Sequence, residues 1–333
     1  MRIGITCTLK DPAQARPDAP DDLQEEFDSP ETIGALAEVL RRRGHEVELL
    51  GDGRGLMEKL LQSPPEFVFN LAEGRGASRS REAWVPSLLE MLGIPFSGSD
   101  PLTLAVTLDK PAAKTLVAAA GVAVPAGLVV ARAADAARLA DPAWQGRKVI
   151  LKPAWEGSSK GIRGACVVTA GPDLKARLEE LRAQYDQPIL AEEFIAGEEL
   201  TVGVVGNEHP EVVGVLRVVP RQPTSEFVYS LEVKRDYENR VRYESPPQLP
   251  EEEVERVRQA ALSAFVALGC RDVARLDFRL REGVPYFLEV NPLPGINPIT
   301  SDLVILAGLN GWSYERLMDA VLDAAFARHG LKG

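Results

Sequence analysis

Residues 273–298, VARLDFRLREGVPYFLEVNPLPGINP, set two apolar runs around Arg281-Glu282-Gly283 and end in a proline-studded loop holding Gly295. A short polar break containing glycine between β-rich runs predicts a hairpin, here with a three-residue loop at 281–283. On that register Leu280 faces Val284, and Arg275 lies opposite Glu289. Side chains of a strand alternate between its faces. Arg275, Asp277, Glu289 and Asn291 therefore project from one side, and Leu276, Phe278, Leu288 and Val290 are assigned to the core. Three oxygen-bearing side chains beside one guanidinium suit Mg²⁺, which takes few protein carboxylates and completes its shell with water and phosphate. The same residues also permit a plainer reading, a solvated salt-bridge face on an edge hairpin.

Two other stretches bear on that face. In VILKPAWEGSSKGI (149–162) a strand ends in Lys152, and a Gly/Ser loop is expected to return to a strand at Ile162. Gly157 and Gly161 let backbone N–H groups turn inward, Ser158 and Ser159 add hydroxyls, and Lys152 adds a point charge, which together cradle phosphate. A strand follows instead of a helix, so this is not a loop of the G-x-x-x-x-G-K-[ST] type. In ILAEEFIAGEELTV (189–202), acids sit inside an apolar strand, where they are costly unless paired. Glu192 and Glu199 could accept hydrogen bonds from adenine and ribose, with Phe194 and Ile195 bounding an apolar slot.

The 333 residues suffice for two or three domains with their own cores. A formal charge of -11 without a basic stripe argues against a nucleic-acid partner. The three cysteines, Cys7, Cys166 and Cys270, have no paired spacing, so they predict a reducing compartment and thiols packed as small hydrophobes. The three histidines are equally scattered, which disfavours zinc. MRIGITCTLK turns polar too soon for a signal peptide, and no apolar run reaches membrane-spanning length. A cytoplasmic protein without a membrane partner is expected.

Along the chain, RIGITCT and HEVELL read as buried strands, FVFNL as a third, and a helix between the first two is capped by Ser29 and Pro30 and closed by Gly44. This is a small parallel α/β unit. DPAQARPDAPDD (11–22) reads as a mobile loop or lid. A second unit starts near Asp109 with a helix and strands AGLVVA, KVILKP and RGACVVT; from Ile189 the pattern becomes mainly antiparallel. The expected division is 1–108, 109–188 and 189–333. Val254, Val257, Ala261, Ala264 and Leu268 form one apolar helix face, and a last helix is capped by Ser313.

TLDKPAAKTLVAAAGVAVP, LKPAWEGSSKGI, AEEFIAGEELTVGVVG, ARLDFRL and LEVNPLPGINPIT stand in the order found in the D-alanine–D-alanine ligase family, with VFNLAEG and LLEMLGIPFSGSD resembling its N-terminal domain. The resemblance covers nearly the whole chain. It implies an α/β (α+β) ATP-grasp fold of three domains with ATP between the central and C-terminal ones. It further implies an ADP-forming ligase that joins a carboxylate to an amine through an acyl phosphate, with small amino-acid or carboxylate substrates, two Mg²⁺ (or Mn²⁺), and a possible homodimer. Carried over by position, Lys110, Lys152, Glu156, Gly157, Ser159 and Gly161 contact the phosphates. Glu192, Phe194 and Ile195 line the adenine pocket, and Glu199 takes the ribose. Asp277, Glu289 and Asn291 hold the metals. Arg275 and the Gly295 N–H stabilise an oxyanion, Lys234 comes from the loop covering the γ-phosphate, and Ser158 is the loop serine of the relay. Thr300 stands near the acceptor's carboxylate and Glu25 near the first substrate's ammonium.

The substrate end departs from the family. Glu73 replaces the usual histidine of LHG, RGASRSRE (75–82) replaces an acidic run, and Arg235 stands where members have tyrosine or histidine. Substitution of a relay hydroxyl by a permanent cation, and of an imidazole by a carboxylate, predicts a changed substrate. Glu73 would meet a cationic group, and Arg235 or Arg75, Arg79 and Arg81 an extra carboxylate. Two other readings stand beside this: an authentic D-alanine–D-alanine ligase of peptidoglycan synthesis, and a nucleotide-binding regulator without ligase activity. Acceptor type (amine, hydroxyl or thiol) stays open.

Overall fold

The computed structural model describes residues 1–11, 20–171 and 174–332, so most of the predicted 11–22 lid lies outside the described residues. Three sheets organise the chain. Strands β1 (Arg2–Cys7), β2 (Glu46–Leu49) and β3 (Phe67–Leu71) form a parallel sheet in the order β2-β1-β3. β1 and β3 are buried, but Glu46 and Leu49 are exposed, so HEVELL is an edge strand and not the buried one expected. Ser29 Oγ accepts the Thr32 N–H at the start of the helix Pro30–Arg42, as the cap pattern predicts.

The second sheet contains β4 (Gly127–Val130), β5 (Lys148–Pro153), β6 (Val167–Thr169) and β7 (Ile189–Glu193) in the order β4-β7-β5-β6, with neighbours antiparallel. The strand expected at Ile162 begins only at Val167. Ser158, Ser159 and Gly161 at φ 46°, 60° and 74° keep the intervening segment turning. The third sheet is antiparallel: β8 (Glu198–Gly206), β9 (Glu211–Pro220), β10 (Val241–Glu244), β11 (Asp272–Arg281) and β12 (Val284–Asn291), in the order β10-β9-β8-β11-β12. Sheet membership thus changes between Glu193 and Glu198, beyond the expected division at 188/189.

Helices seal these sheets. Val257, Ala261, Ala264 and Phe265 of the helix Glu251–Ala267, with Ala113 and Val117 of the helix Lys110–Ala119, bury the Leu276/Phe278/Phe287 face of the third sheet. The C-terminal helix Tyr314–His329 packs back on the first sheet, where Phe326 meets Phe67 edge-on at 4.9 Å. Chain ends remote in sequence therefore share one core. No helix among the described residues is long and apolar enough to cross a membrane.

The 273–291 hairpin is real, but its register differs from the expected one. The loop has two residues, Glu282 and Gly283, both left-handed at φ 52° and 74°, which matches the twist of a two-residue hairpin. A β-bulge near Asp277 and Phe278 adds a second shift, so Arg275 pairs with Asn291 and Asp277 with Glu289. One slip would turn every β12 side chain to the other face; two restore the parity. The four polar side chains therefore stay together. Phe287, fully buried, takes the core place assigned to Leu288, which faces the cleft instead.

Candidate functional site

The cleft lies between the second and third sheets, and side chains of both converge on it. Lys152 Nζ at the end of β5 and Lys114 Nζ lie 2.5 and 3.0 Å from the Glu192 carboxylate on β7. All three are buried. Burial opposes ionisation of Glu192, yet the two ammonium groups outweigh it and hold its pKa below the usual range. Lys114, which lost the same contest, is pushed down to about 8 by burial despite Glu192. Lys114 was not singled out from the sequence; a lysine four residues after Lys110 on the helix face toward β12 was the available signal.

On the facing sheet, Thr201 Oγ1 donates to Asp277 Oδ1 at 2.8 Å, Arg275 Nη2 lies 3.0 Å from Asp277 Oδ2, and Asn291 Nδ2 donates to the same oxygen at 3.4 Å. Lys110 Nζ lies 3.3 Å from Glu289 Oε2 and also donates to the Glu156 carbonyl. Burial would raise the Glu289 pKa, but Lys110, Lys152, Lys234 and Arg275 draw it down to about 2. The carboxylate is therefore charged across the physiological range. Two carboxylates and an amide oxygen on one face form an all-oxygen donor set that fits Mg²⁺ completed by phosphate oxygens. Among the described residues no group of three His, Cys, Asp or Glu side chains is placed to cage a metal unaided, so the nucleotide would have to supply part of the shell.

The adjoining slot is lined by Ile150, Lys152, Ile162, Glu192, Phe194, Ile195, Tyr229, Arg279 and Leu288, which suits an adenine and its ribose, but it encloses only about 60 Å³. Ligand sites run to several hundred Å³, so the slot is narrower than such a site. Arg279 lies over the Phe194 ring at 5.2 Å and pairs with Glu199 at 2.7 Å, and Glu199 also accepts the Tyr229 N–H at 3.1 Å. The 157–161 loop contributes Gly157 and Ser158 to the neighbouring cavity. Ser158 and Ser159 hold left-handed backbones that cost non-glycine residues about 1 kcal/mol or more each. Gly161 is obligatory: a Cβ there would meet Pro153 at 2.5 Å. The Glu156 side chain turns away from the slot toward Arg81, Lys160 and Gln187.

Beyond the loop opens a cavity of about 380 Å³ lined by Lys110, Lys234, Arg235, Arg275, Glu289, Asn291, Gly295 and Thr300, with Glu25, Glu26, Asp28, Glu73 and Glu82 at its N-terminal end. Gly295 sits tight, since a Cβ would meet Ser301 Oγ at 2.9 Å. Thr300 is exposed. Asp302, absent from the sequence reading, is buried between Arg275 Nη1 (3.5 Å), Lys234 Nζ (3.8 Å) and Tyr229 Oη (2.9 Å). Glu25 lies 2.7 Å from Arg235, whereas the neighbouring Glu26 is the buried acid: it accepts the Gly157 N–H and pairs with Arg81 (2.9 Å) and Lys160 (3.3 Å). Those cations hold Glu26 at about 2 against burial.

The arginines of RGASRSRE do not wait for a substrate carboxylate. Arg75 pairs with Asp52 at 3.3 Å, Arg79 with Asp109 at 3.6 Å, and Arg81 with Glu26 and Glu156. None of the three lines the cavity described above, which corrects that expectation. Of the three, only the Arg81 guanidinium is buried; Arg75 and Arg79 make partly exposed pairs.

The comparisons agree with this architecture. The family profile described as D-ala D-ala ligase C-terminus matches residues 116–323. A D-alanine–D-alanine ligase of Desulforudis audaxviator (strain MP104C) is 35% identical over 272 residues, covering 80% of this chain and 83% of that protein. The structure resembles D-alanine–D-alanine ligase from Bacillus anthracis complexed with ATP, at TM-score 0.72, 22% identity and 99% of each chain. It also resembles the VanG D-Ala:D-Ser ligase from Enterococcus faecalis, at TM-score 0.71, 20% identity, 97% of this chain and 99% of the other. By its sequence profile, relatives and fold, the chain belongs to the D-alanine–D-alanine ligase family of ATP-grasp, ADP-forming ligases.

Proposed function

We propose that this protein joins a carboxylate to an amine in an ATP-dependent reaction through an acyl phosphate, on substrates other than a pair of D-alanines. The observation that carries the ligase reading is the shared face of Asp277, Glu289 and Asn291 beside Arg275, facing Lys110 and Lys152 across the cleft. Asp277, Glu289 and Asn291 would hold two Mg²⁺, which when bound offset the phosphate charge during transfer. Lys110, Lys152 and the 157–161 backbone orient the phosphates. Glu192, kept charged by Lys114 and Lys152, marks the adenine end, and Glu199 the ribose. Arg275 and the Gly295 N–H face the carbonyl oxygen as it gains charge. Lys234, aligned by Asp302, closes over the reacting group with Arg235 and keeps water from the acyl phosphate.

Changed specificity is supported by the substrate end. Glu73 lies where an imidazole is usual, and Arg235 is locked by Asp21 and Glu25 in place of a relay hydroxyl. The structural likeness to a D-Ala:D-Ser ligase supports a fold that accommodates more than one acceptor. The naming of the Desulforudis relative as a D-alanine–D-alanine ligase favours the second reading, an authentic enzyme of that kind. Three buried free thiols support a cytoplasmic setting. The test is ADP release with ATP, Mg²⁺ and pairs of amino acids, with products weighed by mass spectrometry. Exclusive use of D-alanine with D-alanine would establish the second reading, and no ADP release with any pair would exclude both.

A further inference from the structure

Resting on the ligase reading, we infer that the N-terminal end of the cavity takes an amino-acid substrate bearing a second cationic group, an ammonium or guanidinium held among Asp28, Glu73 and Glu82. Glu26, Asp28, Glu73, Glu82 and Glu156 gather there, beside Glu25, which Arg235 answers. Arg81 and Lys160 answer two of them, because both pair with Glu26 and with Glu156. Asp28, Glu73 and Glu82 have no side-chain hydrogen bond or ion pair among the described residues. Lys10 lends Asp28 a partial countercharge, and Arg81 lends one to Glu82 and Glu73 while its own ion pairs are made with Glu26 and Glu156; Lys110, whose field also reaches Glu82, is paired with Glu289.

Glu82 makes the case specific. It lines the cavity, only 7% of it is exposed, and among the described residues it has no hydrogen-bond donor or ion-pair partner, only the more distant charges of Arg81 and Lys110. A carboxyl in that position costs free energy unless protonated or met by a cation. Burial and the neighbouring Glu26 raise its pKa to about 8, burial raises Asp28 to about 7, and Glu73 is raised well above the ordinary range by burial and by Glu82, Glu26 and Asp28. The α-ammonium of an ordinary amino acid answers one carboxylate and leaves two. The acids are not placed to hold a metal ion, so a larger organic cation with several N–H donors is the matching occupant.

ADP release is measured with ATP and Mg²⁺ while D- and L-ornithine and lysine are compared with norleucine and glutamine, each alone and with D- or L-alanine as acceptor. The expected kcat/KM preference for the diamino acids is about tenfold or more, the least that a charge-assisted buried bond gives. Glu73→Gln and Glu82→Gln should compress that ratio toward one. Equal or better use of the neutral amino acids overturns the inference and leaves the ligase reading intact. No ADP release with any amino acid overturns the ligase reading, and calorimetry then decides the cation site. Ornithine binding several-fold tighter to the wild-type protein with ADP and Mg²⁺ than to Glu82→Gln supports the site, and equal or absent binding refutes it.

Discussion

Arg235 Nη2 lies 2.7 Å from Glu25 Oε2, and Arg235 Nη1 lies 2.8 Å from Asp21 Oδ2, so the covering segment is tied to the N-terminal turn by one guanidinium. Asp21 and Asp22 also pair with Arg163, and Asp22 accepts the Gly161 N–H at 3.0 Å. The 157–163 loop, the segment carrying Arg235 and the N-terminal turn, which all line the cavity, are therefore joined by one network of ion pairs, the layer proposed to cover the reacting group.

Opening that layer should uncouple the reaction more than it destabilises the fold. The pair is solvent-accessible, so Arg235→Ala is expected to cost less than about 1 kcal/mol of stability. Water entry should raise ADP release without ligated product several-fold. The ratio of ADP to amide product measures this, and an unchanged ratio would deny the layer its shielding role.

Asp277 faces both Arg275 and Asn291, and its removal isolates the proposed metal contacts. Asp277→Asn should lower kcat about 100-fold or more, the equivalent of losing roughly 3 kcal/mol of charge stabilisation. Arg275 and the slot residues remain, so ADP binding measured by calorimetry should persist. Turnover at the wild-type rate would remove Asp277 from the site.

Lys114→Met leaves the fully buried Glu192 with one cation instead of two. A destabilisation of up to about 3 kcal/mol is expected, below the cost of wholly unpairing a buried charge because Lys152 stays. The denaturant midpoint reports it, and a double variant with Glu192→Gln should recover much of the loss. Failure of the second change to rescue would place the role of Lys114 elsewhere.

Glu82 predicts a pH dependence with a defined sign. Its folded pKa of about 8 lies above the unfolded value near 4.3, so the native state holds the extra proton. The contribution is complete below pH 4.3 and is lost as pH climbs through about 8. Glu82→Gln should therefore match the wild-type melting temperature near pH 4.5 and exceed it at pH 8.5, by about 2–4 °C per kcal/mol removed. Identical melting curves at both pH values would contradict the burial of an unsatisfied acid.

Much of this was legible in the primary structure because it depends on local period. Alternation in 275–277 and 289–291 was enough to put Arg275, Asp277, Glu289 and Asn291 on one face, and Ser29, Gly44 and Ser313 marked helix ends through their own backbone chemistry. Two errors in the hairpin, a loop one residue too long and an unseen bulge, cancelled in parity and left only Leu288 and Phe287 misassigned. A bulge carries no reliable local signal, since what sets it is packing on the neighbouring strand and helix.

Chain chemistry alone settled most of the strands and helices and the grouping of Arg275, Asp277, Glu289 and Asn291 on one face, and the order of the motifs carried the resemblance to the ligase family. Tertiary structure decided which acid of the Glu25–Glu26 pair is buried, that Arg75, Arg79 and Arg81 pair with protein carboxylates, and that Glu82 has no hydrogen-bond or ion-pair partner among the described residues. The physical reason is distance. Whether a charge is spent or available depends on partners tens to hundreds of residues away, and only the packed fold brings them within ion-pairing reach.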